Sequence, residues 1–234
     1  MLKLMKLEWR KHHLSRYFTS VAICIVAIFA VVSLMAWGSK VEEDVMFSDY
    51  AGFMSLANIF IRITFIIFAA VMLSRLIIDE YKNKTMQLLF VYPLQRKTLI
   101  QAKLAIVFGF CFVSTIMATF LISILLFFLN PIMGLLEVPV TISDIIVTIP
   151  ATFINGFMIA GISLVPLYFG MRKKSTPTTI TSATIIGFLV NGSVGDANSS
   201  MSLFDFIIVP IVLCILGFFI SYFSYRKVDK ADVS

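Results

Sequence analysis

The stretch EYKNKTMQLLFVYPLQRKTLIQAK, residues 80–103, decides how the chain is read: it is charged and polar, while the runs on either side are apolar and long enough to cross a bilayer. Lys82, Lys84, Arg96, Lys97 and Lys103 put it on the cation-rich, cytoplasmic side of a membrane. Within it, Thr85 to Leu89 with a stop at Pro93 reads as a short helix lying in the interface. A membrane protein with so helix-like a cytoplasmic loop is expected to dock a partner there. The competing reading is a solvated basic loop that only obeys topology, but such a loop has no need of the Met86, Leu88 and Leu89 cluster.

Composition agrees with a membrane location. Of the 234 residues, 59% are hydrophobic, 23 are Phe and only 14% are charged, which is far from the make-up of a soluble domain. At about 20 residues per crossing, the length accommodates roughly six helices and no second globular domain. The expected architecture is therefore an all-α integral membrane protein, a single domain over 1–234. Crossings are expected at 18–37, 56–78, 104–129, 145–170, 175–195 and 204–225, with a cytoplasmic segment at 79–98. The crossing at 56–78 contains Arg62 and Arg75 and is for that reason the least secure of the six. The first apolar run is full length and no small-residue cleavage site follows it before Lys40, so a signal peptide is not expected.

Six crossings put both termini on one side, and that side takes all of the 19 Lys and Arg except Lys40 and Arg62. Both termini are thus expected in the cytoplasm of a cell that carries the protein in its plasma membrane. The net charge of +6 belongs to these flanks, which face anionic headgroups, so it does not argue for nucleic acid. Residues 1–17 interleave Leu2, Met5, Leu7 and Trp9 with Lys3, Lys6, Arg10 and Lys11. They read either as an interfacial helix anchored by Lys6, Trp9 and Arg10 or as a positive flank that orients the first crossing.

Catalytic chemistry finds no footing. Cys24, Cys111 and Cys214 fall within the expected helices without metal-ligand spacing, His12 and His13 are the only histidines and sit in the basic N-terminal segment, and no phosphate loop ending in Gly-Lys-Ser/Thr occurs. No metal site and no bound cofactor are expected, and nucleotide energy, if used, comes from another polypeptide. An ion-gradient-driven transporter or channel would want acidic residues at bilayer depth, and none of the 13 Asp and Glu lies mid-helix.

Two sets of intramembrane residues stand out. Arg62 costs roughly 2.5–3.5 kcal/mol to insert at the bilayer centre. It either lines a substrate path or subunit interface, or reaches up to the outer headgroups or to Glu42, Glu43 or Asp49. The run Ser175 to Thr184, with Thr178, Thr181 and Thr184, suits helix contact or a wetted cavity, or else its hydroxyls bond back to their own helix. Pro150 and Pro166, with Asn155, Gly156 and Gly161 between them, predict a kinked and closely packed fourth crossing.

The layout and the loop together resemble the permeases of ABC-2 type ATP-binding-cassette exporters. In that family an acidic residue leads a short coupling helix between the second and third crossings, followed by a Thr, a Leu pair, a Pro and a downstream Lys. Glu80, Thr85, Leu88, Leu89, Pro93 and Lys103 match. The resemblance implies no enzyme activity in this chain. It implies instead two copies of a partner ATPase that bind ATP and Mg, a coupling face made of Glu80, Thr85, Met86, Leu88, Leu89 and Pro93, a second permease subunit, identical or homologous, and an elbow helix at 1–17. A narrower likeness, to bacterial lantibiotic-immunity and phenol-soluble modulin exporter permeases, implies antimicrobial, toxin or other amphipathic peptides as cargo. A toxin-immunity membrane protein that binds without transport is the remaining alternative.

Overall fold

Apolar segments in a medium without water must satisfy their backbone internally, and here they do so as helices. The computed structural model describes residues 15–41, 49–79, 96–136, 138–173, 175–194, 201–202 and 208–228. The helices are α1 (Ser15–Val41), α2 (Tyr50–Leu73), α3 (Arg96–Met133), α4 (Ile142–Ile162), α5 (Pro166–Lys173), α6 (Thr176–Val190) and α7 (Ile208–Val228). A π-helix, Ser74–Ile78, continues α2 without a break. Four stretches, Tyr17–Ser39, Tyr50–Ile78, Thr98–Met133 and Ile142–Lys173, are long and apolar enough to cross a membrane, and Thr176–Val190 and Val209–Phe223 are shorter apolar helices.

The helix that carries Arg62 and Arg75 is the centre of the bundle. α2 packs against α1, α3, α4 and α6, and Phe53, Ala57, Ile61, Phe65, Ile66 and Ala69 are buried along it. Its start is set by Asp49, whose Oδ1 accepts the Gly52 N–H at 3.2 Å. The helix therefore begins at Tyr50 rather than at 56. Arg62 then lies roughly 18 Å along the axis from Tyr50, near the middle of the helix rather than just below its outer end.

Proline and glycine set the other boundaries. Pro166 has no N–H to offer Ile162, whose carbonyl instead accepts from Val165 at 3.0 Å. The turn tightens around it, and Leu164, Leu167 and Tyr168 likewise bond three residues back. The expected fourth crossing thus becomes α4, a turn and α5, whereas Pro150 is carried inside α4. α4 starts on a reciprocal cap, in which the Thr141 N–H and Oγ1–H both reach Asp144 Oδ2, at 2.9 and 2.6 Å. α3 ends at Gly134, whose φ of +56° suits a residue without Cβ, and Asn130 Oδ1 takes the Leu136 N–H at 2.8 Å.

Close packing occurs where small residues meet. A Cβ on Gly217 would run into the Gly161 carbonyl oxygen, and one on Gly161 into Cys214 Sγ, so α4 and α7 approach backbone to backbone. Phe108, Phe157 and Phe218 join α3, α4 and α7, with ring centroids 5.4–6.0 Å apart. Four further expectations need correcting. The fifth crossing, expected to run to 195, ends at Val190, and the chain enters a two-residue antiparallel ladder that pairs Ser193 with Ser202 and Val194 with Met201. Lys103, expected among the cations facing lipid headgroups, is fully buried. Residues 15–17, placed in the N-terminal interfacial segment, belong to α1, and 96–98, placed in the cytoplasmic segment, open α3.

Candidate functional site

Inside the bundle, α2, α3 and α4 enclose a cavity of about 80 Å³ lined by Met54, Asn58, Arg62, Thr115, Thr119, Thr148, Ala151, Thr152, Asn155 and Ile159. Seven of these ten side chains are polar, in helices that are otherwise apolar. The helical repeat explains the convergence. Asn58 and Arg62 are four apart on α2, Thr115 and Thr119 four apart on α3, and Thr148, Thr152 and Asn155 at four and three on α4, so each helix turns one polar stripe to the same space.

The hydroxyls are themselves partly satisfied. Thr115 Oγ1 donates to the Cys111 carbonyl at 2.8 Å, Thr119 to Thr115 at 3.1 Å, Thr148 to Ile145 at 2.8 Å and Thr152 to Thr148 at 2.9 Å. A hydroxyl has one proton, so these four present lone pairs to the cavity. They complement the N–H groups of Arg62, which is only 7% exposed and is held within the protein at the middle of α2. Asp49, one of the acids Arg62 was weighed against, lies about 20 Å further along the axis, where it caps α2. The α3 stripe continues one turn on: Ser123 donates to the Thr119 carbonyl at 2.8 Å, and Tyr50 OH completes the chain to Ser123 Oγ at 2.9 Å. The arrangement can hold a polar group inside an apolar bundle. Among the described residues lining it there is neither a carboxylate nor a histidine to move a proton, and no cluster of described residues could hold a metal ion.

The second locus is where α2 and α3 give way to residues 80–95. The Asp79 N–H bonds the Ser74 carbonyl five residues back, which is the π-helical pattern. Lys103 Nζ donates to the Leu76 carbonyl at 2.9 Å and so ties α3 to the end of α2. On the other side, Thr176 Oγ1 donates to Asp79 Oδ1 at 3.0 Å and links the same end to the start of α6. Arg75 Nη1 reaches Tyr17 OH at 3.2 Å on α1.

Of the residues singled out from sequence, Arg62 is found at the cavity, while Thr178, Thr181 and Thr184 sit on α6 and do not line it. Thr181 donates to Pro177 and Thr178 carbonyls, at 3.0 and 3.1 Å, and Thr184 to Ile180 at 3.0 Å. Glu80, Thr85, Met86, Leu88, Leu89 and Pro93, and the anchors Lys6, Trp9 and Arg10, lie outside the described residues. Sequence reasoning did not bring Asn58, Thr115, Thr119, Thr148, Thr152 and Asn155 together around Arg62. Their signal was available as small polar residues at helical spacing, continuing through Ser123, on helices otherwise built of Phe, Ile and Leu.

Residues 4–191 match the family described as ABC-2 family transporter protein. The chain belongs to that family. It is also 33% identical over 231 residues to the uncharacterized protein YcbO of Bacillus subtilis (strain 168), a likeness that covers 99% of this chain and all of YcbO. No solved structure matches. As an ABC-2 protein with apolar membrane helices, the chain is a multi-pass membrane component of a transporter, in a family that normally works with an ABC ATPase.

Proposed function

We propose that this chain is the permease subunit of an ATP-driven exporter that moves amphipathic or hydrophobic substrates, such as antimicrobial or toxin peptides, out of the cell or its membrane. In this reading α6 and α7 complete six crossings, both termini are cytoplasmic, and residues 79–98 form the coupling segment. Two permease subunits, identical or homologous, enclose the path, and each coupling segment rests on one of two ATPase copies that bind ATP and Mg. α7, at 21 residues, measures about 31 Å and is long enough for this role; α6, at 15, measures about 22 Å and calls for local thinning or help from its flanks.

The observation that carries the substrate reading is the polar cavity around Arg62. An amphipathic molecule crossing a bundle of apolar helices needs somewhere for its polar part. One guanidinium, two amides and four hydroxyl acceptors at the middle of the central helix provide such a place. Membership of the ABC-2 family supports the ATP-driven mechanism over an ion-gradient one.

The test is affinity purification of the tagged full chain from bacterial membranes. An ABC ATPase should co-purify, and Glu80→Ala, or Leu88→Asp with Leu89→Asp, should remove it while membrane insertion is kept. An amphipathic helical peptide added to the complex should raise ATP turnover. Absence of any ATPase would leave the toxin-immunity reading in place, and an ATPase indifferent to every such peptide would retire the cargo assignment alone.

A further inference from the structure

The end of α2 is built unlike any other described helix end. It is wound as a π-helix, Ser74–Ile78, in which Ser74, Leu76, Ile77 and Ile78 are buried. A π-turn holds an extra residue relative to an α-helix, so it sits close to a second, tighter winding. Tightening it would rotate the chain beyond Ile78 by about 100°, the turn per residue of an α-helix.

Three contacts converge on this element. Lys103 is fully buried, yet it spends a hydrogen bond at 2.9 Å on the Leu76 carbonyl, a donor for a helix end where cations are favoured. Asp79, the next residue after the π-helix, accepts from Thr176 at the start of α6. Gly170 of α5 lies so close to Ile78 Cδ1 and Thr179 Oγ1 that a Cβ there would collide with both. Lys103 therefore binds together the two helices from which residues 80–95 depart and to which they return, and Asp79 and Ile78 hold the same end against α5 and α6.

We propose that Lys103 and the π-helix form the joint through which displacement of residues 80–95 reaches α6, with Lys103 as its positioning residue. The proposal rests on the reading of 79–98 as the ATPase-coupling segment. Because Lys103 fastens α3 to the Leu76 carbonyl, a push on the segment moves both helices together instead of prising them apart. The π-helix is the element that yields. Its change of winding carries Asp79, and with it Thr176 and the first turn of α6. Coupled elements with two discrete windings pass on a motion that a continuously packed contact would absorb.

Amide hydrogen exchange on the full chain in lipid nanodiscs tests this, alone and with the ATPase that co-purifies. In the chain alone, Lys103→Met keeps the aliphatic stem and removes the donor. It should raise exchange at 74–79 and 175–179 together by about tenfold or more, the effect of losing one charge-assisted hydrogen bond from the opening equilibrium, and leave 110–122 unchanged. Lys103→Arg should restore protection. Wild-type protection at 74–79 in Lys103→Met, or equal loosening of every helix, overturns the joint. In the complex, ADP with vanadate should change exchange at 175–179 in the wild type and not in Lys103→Met, whose ATP hydrolysis continues; the same change in both also overturns it. Failure of the wild type to bring down any ATPase retires the docking reading, and the chain-alone experiment then decides by itself whether Lys103 ties the π-helix to α6.

Discussion

Among the described residues, two buried cations are housed in opposite ways. Lys103 is fully buried and donates to the Leu76 carbonyl, on the same π-helix whose Ile78, with Thr179, leaves no space for a methyl group at Gly170. Arg62, on the same central helix system, faces a cavity of about 80 Å³ whose hydroxyl oxygens have given their protons to their own helices. A packed cation fixes geometry; a cation facing a polar space can exchange what it touches. In the proposed reading, the contrast separates a part of the molecule that transmits from a part that receives.

Adding bulk to each region breaks or upholds that contrast. At the closed end, Gly170→Val would press on Ile78 and Thr179, and should cost about 2–3 kcal/mol, read as a lower melting temperature of the purified protein. At the open site, Ala151→Leu should change stability by less than about 1 kcal/mol, because the side chain enters existing space, yet lower peptide-stimulated ATP turnover. Equal destabilisation by both would mean the cavity is as tightly built as the corner, and the distinction would fall. Next in size is Arg62→Gln, which keeps a hydrogen-bonding group on a shorter side chain but removes charge. Loss of a charge-assisted bond of about 1.5–3 kcal/mol should raise the peptide concentration for half-maximal stimulation roughly 10- to 100-fold, with little change in melting temperature. A large fall in melting temperature with unchanged stimulation would make Arg62 a second packed cation.

How far these regions were legible in the sequence depends on the property each signal measures. Hydropathy counts apolar residues along the chain, so it found the helical stretches and missed only where a local device intervenes, such as the cap at Asp49 that starts α2 six residues early or the ladder that ends α6 at Val190. Pro166 announced the break in the fourth segment because a missing N–H acts locally. Arg62 was conspicuous as a charge in an apolar run, but most of the polar residues that line the cavity with it come from two other helices and are small residues that hydropathy barely registers. Lys103 was read as a flanking cation and as the downstream Lys of the family pattern, but nothing in its neighbours reveals that α2 ends in a π-helix with a carbonyl turned toward it.

The smallest expected effect lies on α6, which touches both regions without lining the cavity. Thr181 is exposed, and its hydroxyl is committed to the Pro177 and Thr178 carbonyls of its own helix. Replacing it with Val keeps the branched shape, removes a proton that no other helix uses, and should alter melting temperature by no more than about 0.5 kcal/mol would, with peptide stimulation unchanged. Thr179, Thr181, Ser182 and Thr184 would then carry hydroxyls cheaply in an apolar setting, each bonded to the turn before it. If Thr181→Val instead weakened stimulation as Arg62→Gln is expected to, the receiving region would extend from the centre of the bundle to α6. The helix moved by the Asp79 contact would then also touch the substrate, and transmission and reception would meet on one element.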